Sequence, residues 1–345
     1  MARKWWQDAV FYQIYPRSFA DGNGDGIGDI MGMRQKLDYL AWLGVDAVWL
    51  SPHYPSPQFD CGYDISDYCD VAPEYGTLDE FRHFLAEAHA KNIRVILDFV
   101  LNHTSHLHQW FIESRSSKDN PKRDWFIWKD GVNGQPPNNW QSTFGGSAWE
   151  YDPATDQYYY HFFLKEQPDL NWKNPEVVQA MFDVARFWLD MGVDGFRLDA
   201  VGTVFEEDDL RPHNSTFRSV DFLRNEVEVK LGKPNIIPKG EWENLFGNQA
   251  NLPQVHDLMR ELRKVMDEYD DRVLVGETAD IIYLGNGHDE LHMVFNFNLM
   301  RDDITTADWV RKNLAEQYAQ LPKGGWMANN LNNHDCTRAI SRYDD

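Results

Sequence analysis

Short apolar runs of the kind that form β-strands recur along this chain, and segments with helical spacing lie between them. Two of these segments, 78–92 and 175–192, carry apolar residues at i, i+3, i+4 and i+7 and end in Asn or Gly, as helix C-termini commonly do. Repeated alternation of strand and helix predicts a parallel sheet covered by helices. The predicted strands are 9–15, 45–51, 93–100, 195–201, 272–277, 293–297 and 327–335.

Polar residues at the ends of these strands decide between two α/β architectures. They fall at or just past the C-terminal ends of different strands, where (β/α)8 barrels assemble their sites. A doubly wound nucleotide-binding sheet is the alternative, but DGNGDGIGD at 21–29 does not match its glycine-rich turn, GxGxxG. We therefore predict an α/β fold, the (β/α)8 TIM barrel. The polar residues are Asp98, Asn102, His103, Arg197, Asp199, Glu277, His334 and Asp335.

The interval 104–174 breaks the alternation. It is rich in Trp, Asn, Gly and Pro and contains one strand-like run, QYYYHFFL. We expect a small irregular subdomain, inserted after the third strand between two parts of the barrel, 1–103 and 175–345. The barrel would lack its last strand, so an eighth βα unit and a C-terminal β-domain are expected beyond the chain end. These residues alone are expected to be poorly stable and weakly active or inactive.

The charge balance narrows the class of ligand. With 33 basic and 55 acidic residues among 345, the net charge is −22, which disfavours nucleic acid and anionic membranes as partners and favours a small neutral or cationic ligand. No signal peptide or run of 18 apolar residues is found, so we expect a cytoplasmic monomer or weak homodimer. Cys61, Cys69 and Cys336 are expected to be free thiols, with a Cys61–Cys69 bridge as the alternative.

Three carboxylates, Asp199, Glu277 and Asp335, follow three different strands. Glycoside hydrolysis needs one carboxylate that attacks the anomeric carbon and one carboxylic acid that protonates the leaving oxygen. Arg197 is expected to keep the pKa of Asp199 low, whereas the apolar residues before Glu277 would raise its pKa and make it an acid. A metal-dependent hydrolase built on the acidic cluster is the alternative chemistry.

Four segments, DFVLNH (98–103), GFRLDA (195–200), VGET (275–278) and NNHD (332–335), resemble in order and spacing the four signature regions of the α-amylase superfamily of glycoside hydrolases. QPDLN (167–171) resembles its fifth region, and the N-terminal segment resembles the α-glucosidase and oligo-1,6-glucosidase branch. The resemblance implies a retaining, exo-acting α-glucosidase. Such an enzyme releases terminal α-linked glucose from short oligosaccharides, maltose or sucrose through a covalent glucosyl-enzyme.

The resemblance also implies roles for individual residues. Asp199 would be the nucleophile, Glu277 the general acid/base and Asp335 the group that stabilises the transition state. Asp60 in SPQFDCGYD could equally be a turn residue, and the two phenylalanines named below could belong to the subdomain core. The implied substrate-binding residues are Asp60, Tyr63, His103, Arg197 and His334, with Phe144 and Phe163 as pocket walls and Asp98 in support.

The sequence alone leaves undecided which glycosidic linkage is cut. Ala200 follows the implied nucleophile, where the resembled branch tends to carry Ala or Thr in α-1,4-preferring members and Val in α-1,6-specific ones. This favours α-1,4 or mixed α-1,4/α-1,6 specificity over an oligo-1,6-glucosidase. Transglucosylation on the same scaffold is a further alternative. A non-catalytic relative is the most remote one, because the implied catalytic carboxylates are present.

The loop DGNGDGIGD has the spacing of a cation site. Oxygen ligands stand at alternating positions, and the glycines allow a tight curl around a hard cation. The pattern follows an EF-hand loop and then departs from it, since its twelfth residue is Gly32 rather than Glu. The resemblance implies structural Ca²⁺, or Mg²⁺, while the chemistry needs no cofactor. A metal-free turn is the alternative. The candidate ligands are Asp21, Asn23, Asp25, Asp29 and the Ile27 carbonyl.

Overall fold

A parallel sheet with the strand order β1-β2-β3-β7-β8-β9-β10 organises the part of the chain that the computed structural model describes, residues 3–300 and 306–343. Each of these strands lies in one of the predicted runs or overlaps it. A second, antiparallel sheet has the order β4-β6-β5. The strands are β1 (Phe11–Ile14), β2 (Ala47–Leu50), β3 (Arg94–Val100), β4 (Trp128–Lys129), β5 (Trp149–Asp152), β6 (Gln157–Tyr160), β7 (Gly195–Asp199), β8 (Val273–Gly276), β9 (Met293–Phe295) and β10 (Trp326–Ala328).

Helices follow most strands of the parallel sheet, and both helices predicted from spacing are confirmed as α4 and α6. Thr77 caps α4 in a reciprocal capping box with Glu80, and α6 ends at Gly192 in the left-handed conformation that glycine favours. The helices are α1 (Pro16–Phe19), α2 (Ile30–Gln35), α3 (Leu37–Leu43), α4 (Leu78–Ala90), α5 (Gln109–Ser116), α6 (Pro175–Met191), α7 (Ser219–Lys230), α8 (Glu241–Phe246), α9 (Gln254–Met266), α10 (Ala307–Gln320) and α11 (Ala339–Tyr343).

The parallel sheet is that of a (β/α)8 barrel, as predicted. Helices cover its outer face, and apolar side chains fill its inner face. The edge strands β1 and β10 do not pair with each other within the described residues. The inner cluster comprises Trp6, Trp49, Ile96, Val273, Val275, Met293 and Phe295.

Strand β7 carries a charged pair, Arg197 and Asp199, on the face that points into the barrel. Phe196 and Leu198 belong to the main hydrophobic core of the fold. Arg197 and Asp199 alternate with them, so they point to the opposite face, into the barrel. In the β3–β7 register Arg197 lies opposite Asp98. The pairing therefore sets an acidic side chain against the arginine.

The segment between β3 and α6 forms the antiparallel sheet and has an aromatic core of its own. Trp140, Trp149, Tyr160 and Phe162 pack there with Phe246 at the end of α8. The irregular stretch after β7 therefore contacts this subdomain through α8.

None of the helices in the described part of the chain has the length and apolar character needed to cross a bilayer. No disulfide joins Cys61, Cys69 or Cys336 there, as expected from the cysteine count.

Candidate active site

Arg197 lies at the centre of three carboxylates. Its Nη1 donates to Asp98 Oδ1 and Oδ2 at 2.8 and 3.0 Å and to Asp199 Oδ1 at 2.6 Å. Its Nη2 lies 2.6 Å from Glu277 Oε1. These side chains come from β3, β7 and the end of β8, and they converge because parallel strands end at the same rim of the barrel. Arg197 is only 1% exposed, so water screens these charges weakly.

Two aromatic residues hold this arrangement. The Arg197 guanidinium carbon lies 4.8 Å from the Trp49 ring centroid and 5.8 Å from that of Tyr63. The Trp49 indole N–H and the Tyr63 hydroxyl both donate to Asp98 Oδ2, at 3.1 and 3.0 Å. Asp98 thus accepts hydrogen bonds from Arg197 and from both aromatic side chains. Its supporting role stays a prediction.

Burial raises the pKa of both candidate catalytic carboxyls. The pKa of Asp199 rises from 3.8 to about 6, because burial outweighs the attraction of Arg197. The expectation that Arg197 keeps this pKa low is wrong, since one guanidinium serves three buried carboxylates. Burial raises the pKa of Glu277 from 4.5 to about 7. Glu277 thus keeps its proton to a higher pH than Asp199, which is the predicted order for an acid beside a nucleophile.

Ala200 follows the candidate nucleophile in a left-handed backbone conformation, with φ 42° and ψ 49°. Its N–H donates to Glu277 Oε2 at 3.0 Å. Its carbonyl accepts hydrogen bonds from Thr203 N and Oγ1 at 3.0 and 2.9 Å. This conformation is strained for a residue with a Cβ, so it needs such support from its surroundings. The Glu277 carboxyl is held at both oxygens, one by Arg197 and one by this amide.

His334 and Asp335 lie on the loop after β10, which is a shorter strand than predicted. The His334 ring stacks on Tyr63 with centroids 5.5 Å apart, and its Nδ1 lies 2.8 Å from Gln13 Nε2 on β1. Its Nε2 is 3.3 Å from Asp335 Oδ1. The side chain of Asp335 is 59% exposed, and its charge is near enough to help raise the pKa of Glu277. The third carboxylate therefore faces the open side of the site.

Asp60 and His103 are linked by a residue of the subdomain. Gln167 Nε2 donates to Asp60 Oδ2 at 2.8 Å and lies 2.8 Å from His103 Nε2. The His103 ring is 5.2 Å from that of Phe163, which lies 5.8 Å from Phe144. Phe144 is 45% exposed. Of the two predicted wall residues, Phe163 thus contacts a predicted substrate-binding residue, and Phe144 lies farther out.

In the candidate cation loop, carboxylates and amides bond to one another. Asp21 accepts hydrogen bonds from two glycine amides at 2.6 and 2.8 Å, and Asp25 accepts one from Ile27 N at 2.8 Å. Asp29 caps α2, and Asn23 bonds to Asp25 at 2.8 and 3.1 Å. Among the described residues, no group of three or more His, Cys, Asp and Glu side chains could hold a metal. The amide and carbonyl oxygens still suit a hard cation, and the site stays a prediction.

Sequence analysis did not assign three of the side chains in this site to it: Trp49, Gln13 and Gln167. Trp49 and Gln13 stand near the C-terminal ends of β2 and β1, so their position at the barrel rim was a usable signal. Gln167 is the first residue of QPDLN, the segment that resembles the fifth signature region, but no role was predicted for it.

Comparison with known proteins shows to which family this chain belongs. Residues 13–345 match the alpha-amylase catalytic domain. This chain belongs to the alpha-amylase family. The match covers the barrel and the inserted subdomain, and it confirms the resemblance seen in the sequence.

Relatives within the alpha-amylase family include both hydrolases and a transferase. An oligo-1,6-glucosidase of Parageobacillus thermoglucosidasius is 45% identical and covers 100% of this chain and 60% of its own length. A probable alpha-glucosidase of Rhizobium meliloti (strain 1021) is 44% identical, covering 99% and 62%. A crystal structure of an alpha-glucosyl transfer enzyme is 42% identical with a TM-score of 0.86, covering 99% and 63%. The chain therefore spans about three fifths of the length of these relatives.

Proposed function

We propose that this chain is the catalytic part of a retaining, exo-acting α-glucosidase. The observation that carries the proposal is the Arg197 guanidinium, which contacts Asp199 and Glu277 through its two terminal nitrogens. Retaining glycosidases keep their two carboxyl groups roughly 5–5.5 Å apart, and inverting ones keep them roughly 6.5–9.5 Å apart. One guanidinium in contact with both carboxylates places them near enough to act on the same glycosidic bond, and membership of the alpha-amylase family favours the retaining arrangement.

The proposed reaction has two steps. Asp199 attacks the anomeric carbon while Glu277 gives its proton to the departing oxygen, so the glycosidic bond breaks and a glucosyl ester of Asp199 forms. Glu277, now a carboxylate, then takes a proton from water, whose oxygen attacks the same carbon and releases Asp199. Asp335 would stabilise the positive charge that develops on the sugar ring.

The substrate we propose is a short oligosaccharide, maltose, sucrose or another α-glucoside with a terminal glucose. Asp60 offers carboxylate oxygens for its non-reducing end, and we propose that His103 and Tyr63 line the same part of the site. Ala200 supports α-1,4 or mixed α-1,4/α-1,6 specificity rather than strict α-1,6 specificity. The relatives include both an oligo-1,6-glucosidase and a probable alpha-glucosidase, so rates on the two linkages must decide between these specificities.

Hydrolysis of a chromogenic α-glucoside by the full-length protein tests the proposal. Asp199→Asn should abolish hydrolysis, whereas Asp183→Asn on the exposed surface of α6 should leave it unchanged. NMR of the reaction should show α-glucose as the first product, and β-glucose would contradict the retaining mechanism. Initial rates on maltose, isomaltose and sucrose, measured side by side, give the linkage preference.

Transglucosylation is a second candidate because a structure 42% identical to this chain is that of an alpha-glucosyl transfer enzyme. The covalent glucosyl-enzyme can be intercepted by a sugar hydroxyl instead of water. A trisaccharide that accumulates as the maltose concentration rises would indicate transfer. Free glucose as the sole product at high maltose would indicate hydrolysis.

A further inference from the structure

Gln167 is fully buried, and its side chain joins three segments of the molecule. Its Oε1 accepts a hydrogen bond from Leu164 N at 3.0 Å, so this oxygen is identified by a backbone donor. The amide nitrogen Nε2 therefore faces Asp60 Oδ2 and His103 Nε2, each at 2.8 Å. The two N–H groups of this one nitrogen thus reach the loop after β2 and the loop after β3.

A similar argument identifies the hydrogen on the other side of the His103 ring. Asn102 Nδ2 donates to Asp169 Oδ2 at 3.0 Å and to Thr203 O at 2.7 Å, so Asn102 Oδ1 faces His103 Nδ1, at 2.9 Å. An amide oxygen accepts hydrogen bonds, so Nδ1 carries a hydrogen. Burial lowers the pKa of His103 to about 3, so the ring is neutral near pH 7 and Nε2 carries no hydrogen.

His103 Nε2 has two neighbours that demand opposite tautomers. The Tyr63 carbonyl, 3.2 Å away, could only accept a hydrogen from Nε2. Gln167 Nε2 donates one and lies closer, at 2.8 Å. The Gln167 amide and the Asn102 oxygen therefore select the same tautomer from opposite sides of the ring.

We propose that Gln167 is a positioning residue that, together with Asn102, holds His103 as its Nδ1–H tautomer and ties Nε2 to the Asp60 carboxylate. Nε2 uses its single lone pair for the bond from Gln167, whereas the Asp60 carboxylate has further lone pairs. That carboxylate can therefore still accept hydrogen bonds from ligand groups that donate, such as the hydroxyls of an uncharged sugar. That the ligand is a sugar rests on the proposed function, whereas the tautomer does not.

The test is the state of the His103 ring nitrogens, read by NMR on full-length protein with isotope-labelled histidine. The His103 signals are assigned by their loss in His103→Asn. We expect a hydrogen on Nδ1 and none on Nε2. In Gln167→Met we expect Nδ1 to keep its hydrogen, which Asn102 Oδ1 accepts, and the Nε2 signal to move downfield because Nε2 loses the hydrogen bond from Gln167.

Two further variants make this test decisive. Gln249 is another fully buried glutamine, and it bonds to Gln141 O and the Tyr160 hydroxyl rather than to His103. Gln249→Met should therefore leave the His103 signals unchanged. Gln167→Glu keeps the shape of the side chain but puts an ionisable carboxyl between Asp60 and His103, so the Nε2 signal should become dependent on pH where that carboxyl titrates, even if Gln167→Met fails to fold.

Kinetics separate this inference from the proposed function. Gln167→Met should lower kcat/KM for a chromogenic α-glucoside about ten- to a hundred-fold, as expected when a buried hydrogen bond to a ligand-binding carboxylate is lost. An inactive wild-type enzyme would refute the proposed function and leave the tautomer result standing. An active enzyme with Nε2–H in the wild type, or with unchanged His103 signals in both Gln167 variants, would overturn the inference alone.

Discussion

The backbone amide of Ala200 donates a hydrogen bond of 3.0 Å to Oε2 of Glu277. The residue after the candidate nucleophile thus holds the candidate acid directly, through its main chain. Because this bond favours the charged carboxylate, it opposes the rise in the pKa of Glu277 that burial causes. The backbone conformation at position 200 therefore bears on the chemistry as well as on the shape of the pocket.

Substitution of Ala200 should reveal this link. Ala200→Val places a β-branched residue in a left-handed conformation, which should cost about 1–3 kcal/mol and weaken the bond to Glu277. We expect a lower Tm and an alkaline limb of the kcat/KM profile shifted to higher pH. Ala200→Gly tolerates the conformation and serves as the control, with the wild-type limb retained. A valine variant with wild-type Tm and pH profile would contradict this account.

The pH dependence of activity should be bell-shaped. Asp199 must be ionised to attack, so activity should fall as the pH drops below about 6. Glu277 must be protonated to assist departure, so activity should fall as the pH rises above about 7. Because the two carboxyls interact, the limbs report the pair rather than either residue. With α-glucosyl fluoride, which needs no proton on leaving, Glu277→Gln should lose the alkaline limb. An unchanged limb would assign it to another group.

The same carboxyls should make the wild type less stable at alkaline pH than an amide variant. The pKa of Glu277 is about 7 in the fold against an ordinary 4.5, so the folded state binds more protons between these values. Its contribution to the free energy of unfolding therefore falls as the pH rises from about 4.5 to about 7. We expect Glu277→Gln to have a higher Tm than the wild type, with a larger gap at about pH 8 than at about pH 5.

The control for this comparison is Glu261→Gln, an exposed position on α9. It should change Tm little at either pH. A Glu277→Gln gap that is equal at both pH values would show that ionisation of Glu277 is not its source.

The Asp60 carboxylate should discriminate against phosphorylated sugars. Asp335 adds a further negative charge near Asp60, and the chain carries a net charge of −22. A phosphate group on the terminal glucose would bring negative charge towards these carboxylates. We expect kcat/KM for a chromogenic α-glucoside to exceed that for its 6-phosphate at least about a hundred-fold. Equal rates on the two substrates would contradict this reading of the pocket.

Calcium should stabilise the fold without taking part in the chemistry. If the loop at 21–29 binds Ca²⁺, Tm should rise with added Ca²⁺ and fall with a chelator, while kcat at moderate temperature stays constant. Asp21→Asn should remove most of the calcium-dependent rise. Identical Tm values with Ca²⁺ and with chelator would favour the metal-free turn, in which Asp21 bonds only to the loop amides.

The barrel and the gathering of its polar residues could be predicted from sequence because both follow from local periodicity. A strand-end position is enough to bring Asp98, Arg197 and Glu277 to one rim. The sharing of one arginine by three carboxylates depends on the β3–β7 register, which no short segment encodes. The shift in the pKa of Asp199 was predicted with the wrong sign. Its cause is burial, which depends on the packing of the whole molecule and not on the residues nearby in the sequence.

Contacts between segments that are distant in the sequence could not be predicted from it either. The bond from Gln167 to Asp60 joins residues 107 positions apart, and that between Gln13 and His334 joins residues 321 positions apart. Each requires the two segments to be placed by the whole barrel.

The Gln13–His334 contact has a consequence for how a ligand affects the whole molecule. It joins β1 to the loop after β10, the first and last strands of the described sheet. A sugar that binds His334 would hold this loop against β1, so part of its binding free energy would oppose unfolding of the barrel. Competitive inhibitors should therefore stabilise the protein against heat as well as block its site.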